Sequence, residues 1–517
     1  MKRTFVQKDL ILILLCLCCF FPHCTDKVEN PPNILLAISD DQSYFHAGPY
    51  GLAPVRTPVL DQLAEEGIMF TNAYSASPMC TVGRAALLTG RNPWQNGEAG
   101  QHWSHFPDGL ACYTDHLEEA GYMVGFTGKG WGPGNWQITG FSRSPAGHPY
   151  NAEKVAAKPA SGMSDIDYAE NFRSFLQQKP EDQPFCFWYG ASEPHSPYEA
   201  GSGLRAGYDP GKLKLPPNYV DTSMQVKHDV LDYFLEIEWF DTHLGKIIQL
   251  LKEAGEYENT IIVVTSDNGT PMPGAKANLY DLGTHVPLVI LWPNKTGKGL
   301  VVDDLVSQID LGPTFLEAAG LTASGEMTGR SILDLMVAGR SGKLDPSREY
   351  VLAAQEKSGH VRHHHLGYPM RSIRTDEYMY IRNFRPERWP AGDIGAEERA
   401  RKDPRYDKRP PEELYRVKTD FACLENLAGI KEYESIKEDL RNKLETDLRS
   451  QSDPRMLGVG DMYESFPRYG RFRDELEGFD KQGEYNPDYL IEIPDQILIS
   501  SLYQQALLQK LNNENQP

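Results

Sequence analysis

The sequence predicts an α/β fold: a large mixed sheet covered by helices on both faces, with a smaller C-terminal α+β subdomain made of a small antiparallel sheet plus a helix. Three observations carry this. Apolar runs of strand length recur from residue 33 to residue 292 and alternate with helical stretches. Several of those runs end in acidic or polar residues. After residue 370 the pattern changes to short-range apolar–polar alternation.

The elements follow in order. Residues 33–39 (NILLAIS) are continuously apolar, as a buried parallel strand is, and they end on Asp40-Asp41. Thr57-Pro58 opens a helix, with Thr as N-cap and Pro at the first helical position. Val59, Leu60, Leu63, Ala64 and Ile68 form its apolar stripe. A helix over 114–120 leads to a strand over 123–127. Residues 184–189 (PFCFWY) form a strand before Gly190 to His195. A long amphipathic helix over 230–254 precedes the strand 260–265 (TIIVVT), which ends in Ser266-Asp267-Asn268-Gly269. Another strand, PLVILW, spans 287–292. Ligands of open α/β sheets collect beyond the carboxyl ends of the strands. Asp40, Asp41, His195, Asp267 and Asn268 all sit at such ends. The Gly-, Pro- and Ser-rich stretches 133–164 and 199–223 have the length of pocket-forming loops. MRSIRTDEYMYIRN alternates at Ile373, Tyr378, Tyr380 and Arg382, which places the small sheet there. A polar loop over 382–412 and charged helix from Leu414 complete the chain. The expected division is therefore 32–370 and 371–517.

Composition narrows the function. With 517 residues, 40% hydrophobic and 24% charged, the chain folds rather than staying disordered. A net charge of −20 argues against a nucleic-acid partner, which needs a basic face. Lys2, Arg3 and Lys8 precede an apolar run from Leu10 to Phe21, the pattern of a signal peptide, expected over 1–24. The run is too short to span a bilayer, which takes roughly 20 residues, and no later segment suffices. A secreted or periplasmic protein with no membrane span follows. Lipoprotein anchoring at Cys24 stays open, although Phe21-Pro22-His23 is a poor context for it. Removing residues 1–24 takes away three bases and one acid and moves the charge to −22. Such a chain holds an anionic ligand only through a local cationic site. Cys80, Cys112, Cys186 and Cys423 are too widely separated to form a disulfide framework.

Asp40-Asp41 and Asp267-Asn268 are hard oxygen donors that suit Ca²⁺ or Mg²⁺ better than zinc. Each pair alone reads equally as a turn or helix cap. Cys80 opens the segment CTVGRAALLTGR with Arg84 one turn later, a positive setting that favours an anion. A buried inert thiol is the other reading.

Together these pieces resemble the formylglycine-dependent sulfatases of the alkaline-phosphatase superfamily. The resemblance rests on Cys80, Arg84 and Leu87-Leu88-Thr89-Gly90, and on Asp40-Asp41, Gly128-Lys129, Pro194-His195, Ser266 to Gly269 and Lys276 in the family's order. Asp310 to Thr314, Glu413-Leu414-Tyr415 and Glu425 to Ala428 extend it over roughly 32–430. Tyr368 to Ser372 (YPMRS) further resembles the sulfamidase-like branch, which acts on sulfated glucosamine or related glycans. The resemblance implies conversion of Cys80 to formylglycine by the formylglycine-generating enzyme. It implies a metal, Ca²⁺ or Mg²⁺, held by Asp40, Asp41, Asp267 and Asn268 beside Cys80, with Lys129 and Lys276 clamping a sulfate. Arg84 would orient the hydrated aldehyde and His195 would be the general acid. The implied substrate is a sulfated carbohydrate carrying an O-sulfate or N-sulfate. Two departures stand out: Val82 replaces the motif's Pro or Ala, and Trp131 stands where the family places a His after the lysine. His102 or His105 are candidates for that role. A phosphodiesterase or phosphonate hydrolase on the same scaffold, and an inactive glycan-binding relative, remain as alternatives.

Overall fold

In the computed structural model residues 30–51, 54–216, 219, 221–358, 364, 366–390, 404–470 and 482–515 are described. The expected signal peptide and Cys24 lie outside them. The large sheet has eight strands: β1 (Asn33–Ser39), β2 (Ile68–Tyr74), β3 (Met123–Gly128), β4 (His148–Pro149), β5 (Phe185–Gly190), β6 (Thr260–Ser266), β7 (Leu288–Leu291) and β8 (Leu300–Ser307). Their order is β4-β3-β5-β1-β6-β7-β2-β8. Only β7 runs against its neighbours, so the sheet is mixed, as expected.

Strand β1 is buried along its whole length because each of its two faces meets a helical layer. Leu36 and Ile38 face a core that includes Leu87, Leu88, Leu117 and Phe315, from the helices Cys80–Thr89, Tyr113–Glu119 and Leu311–Ala318. Leu35 and Ala37 face the opposite core, with Leu60, Phe172, Phe240 and Leu244 from Pro58–Glu66, Tyr168–Gln178 and Met224–Glu253. The two-residue alternation of a strand thus divides one apolar run between two cores.

Local chemistry departs from expectation at some ends. Thr57 precedes Pro58–Glu66 but does not cap it. Its Oγ1 accepts from Gly48 N (2.9 Å) and donates to Asp61 (3.0 Å). The cap comes instead from Asp241 of the long helix, which accepts from Val59 N (3.0 Å) and Leu60 N (2.9 Å). Ile68 leaves the helical stripe and starts β2. The long helix begins at Met224, where Ser223 accepts from Val226 N (3.4 Å).

A second sheet is fully antiparallel, in the order β12-β11-β10-β9: β9 (Tyr350–Gln355), β10 (Met370–Thr375), β11 (Met379–Asn383) and β12 (Glu412–Tyr415). Its first strand lies upstream of the 370/371 division drawn from the sequence. Helix Glu434–Ser450 covers one face, with Leu440, Leu444 and Leu448 packed on Leu352, Ile373, Tyr380 and Leu414. Arg371, from the YPMRS segment, is fully buried. Its Nε and Nη2 donate to Asp453 (2.7 and 3.1 Å), and Nη2 also donates to Glu356 (2.7 Å). The segment therefore clamps the small sheet to the residues after the last helix turn. Arg371→Met is expected to leave the buried Asp453 without its cation, Glu356 keeping Arg455 (2.7 Å), and to destabilise the protein by about 3–5 kcal/mol in chemical denaturation, with Arg371→Lys costing less.

Candidate active site

Strands β3, β5, β1 and β6 are consecutive, parallel neighbours. Their carboxyl ends therefore fall on one edge, and each delivers a polar residue there. Asp40 and Asp41 follow β1, Lys129 follows β3, His195 follows β5, and Asp267 and Asn268 follow β6. The pairing continues past the strands: Asp40 N donates to Glu193 O (2.9 Å) and Asp267 N to Ser39 O (3.1 Å). Asp41 is left-handed, at φ 73°. That conformation costs a non-glycine residue about 1–3 kcal/mol and persists where surroundings enforce it. Here Asp41 N donates to Asp267 Oδ1 (3.1 Å), and Tyr233 of the long helix donates to Asp41 O (3.0 Å).

Cys80 begins its helix directly beside these ends. Gly83 makes the approach possible: a Cβ there would lie 2.6 Å from Asp267 O and 2.9 Å from Ser75 Oγ. Val82 packs with Met79 and Ala277, so its branched side chain fills a small apolar contact. Trp131 is buried and donates from Nε1 to Thr81 O (3.1 Å), pinning the first turn of the Cys80 helix.

Three carboxylates meet three cations, so formal charge cancels. Arg84 Nε donates to Asp267 Oδ2 (2.7 Å), Lys129 Nζ to Asp40 Oδ2 (2.5 Å) and Lys276 Nζ to Asp41 Oδ2 (2.6 Å). His195 Nε2 stands 3.7 Å from Asp41 Oδ2. Burial pushes the Asp40 carboxyl up, but Lys129 and His195 outweigh it and hold it below its usual range. Burial and then Asp40 push the Asp267 carboxyl up, against Arg84 and Lys129. Burial raises the Cys80 thiol, with Lys129 and Lys276 only partly offsetting it. A thiol held protonated is not itself a strong nucleophile.

Asp40, Cys80 and Asp267 bring ligand atoms within 4.8 Å of one another. Asp40 Oδ1 and Asn268 Oδ1 are buried without a hydrogen-bond partner among the described residues. Asp41 and Asp267 differ from them in having both carboxylate oxygens engaged: Asp41 Oδ1 accepts from Asn268 Nδ2 (2.8 Å) and its Oδ2 from Lys276, while Asp267 accepts from Asp41 N and Arg84. A cavity of about 1010 Å³ opens over this centre, lined by Asp40, Cys80, Lys129, His195 and Lys276 and by Trp103, Trp131 and Trp136. His102 lines it too, with Nε2 3.7 Å from Cys80 Sγ. His105 is elsewhere, fully buried against Glu98 (3.3 Å), Ser500 (3.2 Å) and Tyr485 (3.1 Å).

The chain matches the Sulfatase family model over residues 32–321, and over 275–408 the model "N-sulphoglucosamine sulphohydrolase, C-terminal". It is 28% identical to an ulvan-active sulfatase of Formosa agariphila over 450 residues, 84% of each chain. It is 29% identical to the N-sulphoglucosamine sulphohydrolase of Homo sapiens over 391 residues, 68% of this chain and 74% of that one. It shares its fold with a protein solved in complex with its substrate D-glucosamine-2-N,6-O-disulfate, at TM-score 0.61 and 18% identity, covering 83% of this chain and 99% of that one. The chain belongs to the sulfatase family, a class of sulfuric ester hydrolases.

The close approach at Gly83 gives a direct test. Gly83→Ala is expected to displace the Cys80 helix from Asp267, lowering the melting temperature by about 1–3 °C, as about 1–3 kcal/mol of overpacking does in a chain of this length. A scanning calorimetry trace unchanged from wild type would show that the helix tolerates the extra carbon.

Proposed function

We propose that this protein hydrolyses sulfate ester or N-sulfate groups of sulfated glycans. It would use a formylglycine made from Cys80 and a divalent metal held by Asp40, Asp41, Asp267 and Asn268. The observation that carries the reading is the group Asp40, Cys80 and Asp267, set among Arg84, Lys129 and Lys276 at the base of one large cavity. The donor set fits a hard cation: the orphaned Oδ1 atoms of Asp40 and Asn268 are buried oxygens that need a partner. Ca²⁺ or Mg²⁺ bound there supplies Lewis-acid charge that makes a hydroxyl nucleophilic near neutral pH.

The chain's own residues do the rest. Formal charge cancels at the site, so a bound divalent cation leaves it positive enough to hold an anionic ester inside an acidic protein. Lys129 and Lys276, each held by a carboxylate, line the cavity where an ammonium group can donate to sulfate oxygens. Arg84 orients the nucleophile end of the helix by bonding Asp267 and the carbonyls of Lys129 (2.6 Å) and Gly130 (3.2 Å). His195 Nδ1 lies 2.6 Å from Ser196 O and donates to it. That leaves Nε2 to carry a proton to the leaving oxygen or nitrogen. His102 is the histidine nearest the nucleophile, where Trp131 instead braces the helix.

The relatives named above act on ulvan and on N-sulphoglucosamine, which supports a sulfated carbohydrate as substrate. The tryptophans lining the cavity offer faces for sugar rings. Among the described residues no helix is long and apolar enough to cross a membrane. We take the chain as a secreted or periplasmic enzyme with a catalytic unit and a C-terminal subdomain that begins with β9 rather than at residue 370. Its maturation would need the formylglycine-generating enzyme.

The test uses protein made in a host with modification machinery. The peptide holding Cys80 should show the mass of an aldehyde in place of the thiol, and 4-nitrophenyl sulfate should be turned over. Cys80→Ala should abolish turnover. His195→Ala should lower kcat on poor leaving groups by about 10²–10⁴-fold and much less on the nitrophenolate, which needs no proton. Conversion without turnover would leave a binding protein in place of an enzyme.

A further inference from the structure

The cavity contains a carboxyl that the proposed chemistry does not use. Glu236 lies on the helix Met224–Glu253, three residues after Tyr233, whose hydroxyl holds Asp41 O. Three residues of helix rise about 4.5 Å, so Glu236 stands roughly one turn along from the strand end that carries the reactive centre. It lines the same cavity, is 2% exposed, and its Oε1 has no hydrogen-bond partner among the described residues. Gly162, which also lines the cavity, stands over that atom: a Cβ there would come within 3.2 Å of Oε1 and 2.3 Å of Pro197 O. A buried carboxyl oxygen left unsatisfied is costly, so a ligand that satisfies it binds correspondingly tighter.

Resting on the sulfated-glycan reading, we infer that Glu236 determines specificity by hydrogen-bonding an uncharged hydroxyl of the sulfate-bearing sugar, and that it disfavours a second anionic group at that position. Its surroundings agree. Burial first, then the charge of Glu193, pushes its pKa up to about 9, with Asp232 adding to the rise and Lys158 opposing it. A carboxyl kept neutral both donates and accepts, which matches a hydroxyl. A second sulfate or a carboxylate at that position would meet the charge of Glu193, and Lys158, which opposes the rise, already donates from Nζ to Met163 O.

The experiment compares kcat/KM on 4-nitrophenyl sulfate with kcat/KM on a panel of monosulfated hexoses and hexosamines, for wild type, Glu236→Gln and Glu236→Leu. The ratio of sugar to aryl activity should fall at least tenfold in Glu236→Leu, mainly through KM. It should stay within about threefold of wild type in Glu236→Gln, whose amide also donates and accepts. Wild type should also prefer the monosulfated sugars to their uronate or disulfated counterparts. An unchanged ratio in Glu236→Leu, an equal loss on both substrate classes, or Glu236→Gln as impaired as Glu236→Leu would overturn the inference. So would aryl turnover by wild type with none on any sugar of the panel. Absence of all turnover by converted wild type would instead remove the sulfatase reading on which the inference rests.

Discussion

The buried ion pair between Arg84 and Asp267 is the joint on which the site depends. Both side chains are completely enclosed, and the bond is 2.7 Å long. The same guanidinium holds the carbonyls of Lys129 and Gly130, so one side chain ties the Cys80 helix to the ends of β6 and β3. Burying such a pair adds little net stability, because desolvation offsets attraction. Breaking it is another matter. Asp267 would lose its compensating charge while facing Asp40, whose negative charge already pushes it up. The pair is therefore better understood as fixing geometry than as strengthening the fold.

Electrostatics follows from this joint. The protein as a whole is acidic, and an exposed acidic surface repels anionic esters. The site escapes that field by matching each buried carboxylate with a cation and leaving oxygens of Asp40 and Asn268 unclaimed. A hard cation held there would turn this balance positive, on the side of the cavity that the two lysines line. Trp131 belongs to the same design in a different capacity. It gives up titratable chemistry and supplies rigidity, holding Thr81 O next to Cys80.

Much of this was legible in the sequence because the central strands are apolar throughout and end abruptly in charge. β1 and β6 read directly, and so did Asp40, Asp41, Asp267 and Asn268 at their ends. β2 and β8 did not, because Thr71, Asn72, Asp303 and Asp304 interrupt their apolar runs. Asp304 earns its place by tertiary contact, accepting from Leu344 N (2.7 Å) and Asp345 N (2.8 Å). The cap from Asp241 onto Val59 and Leu60 spans more than 180 residues and leaves no local signal. Sequence order alone could not choose between His102 and His105; only the fold sets one beside Cys80 and closes the other in with Glu98. Glu236 likewise reads as an ordinary polar position of a long helix until the cavity wall is seen.

Strand ends brought together by the sheet would make one hard-cation site. Calorimetric titration of Ca²⁺ into metal-stripped protein tests it most directly, with Asp40→Asn and Asp267→Asn alongside. Saturable binding of one ion per chain that raises the melting temperature and is lost in both variants is expected. Binding that survives both substitutions, or no saturable binding in the wild type, would contradict it.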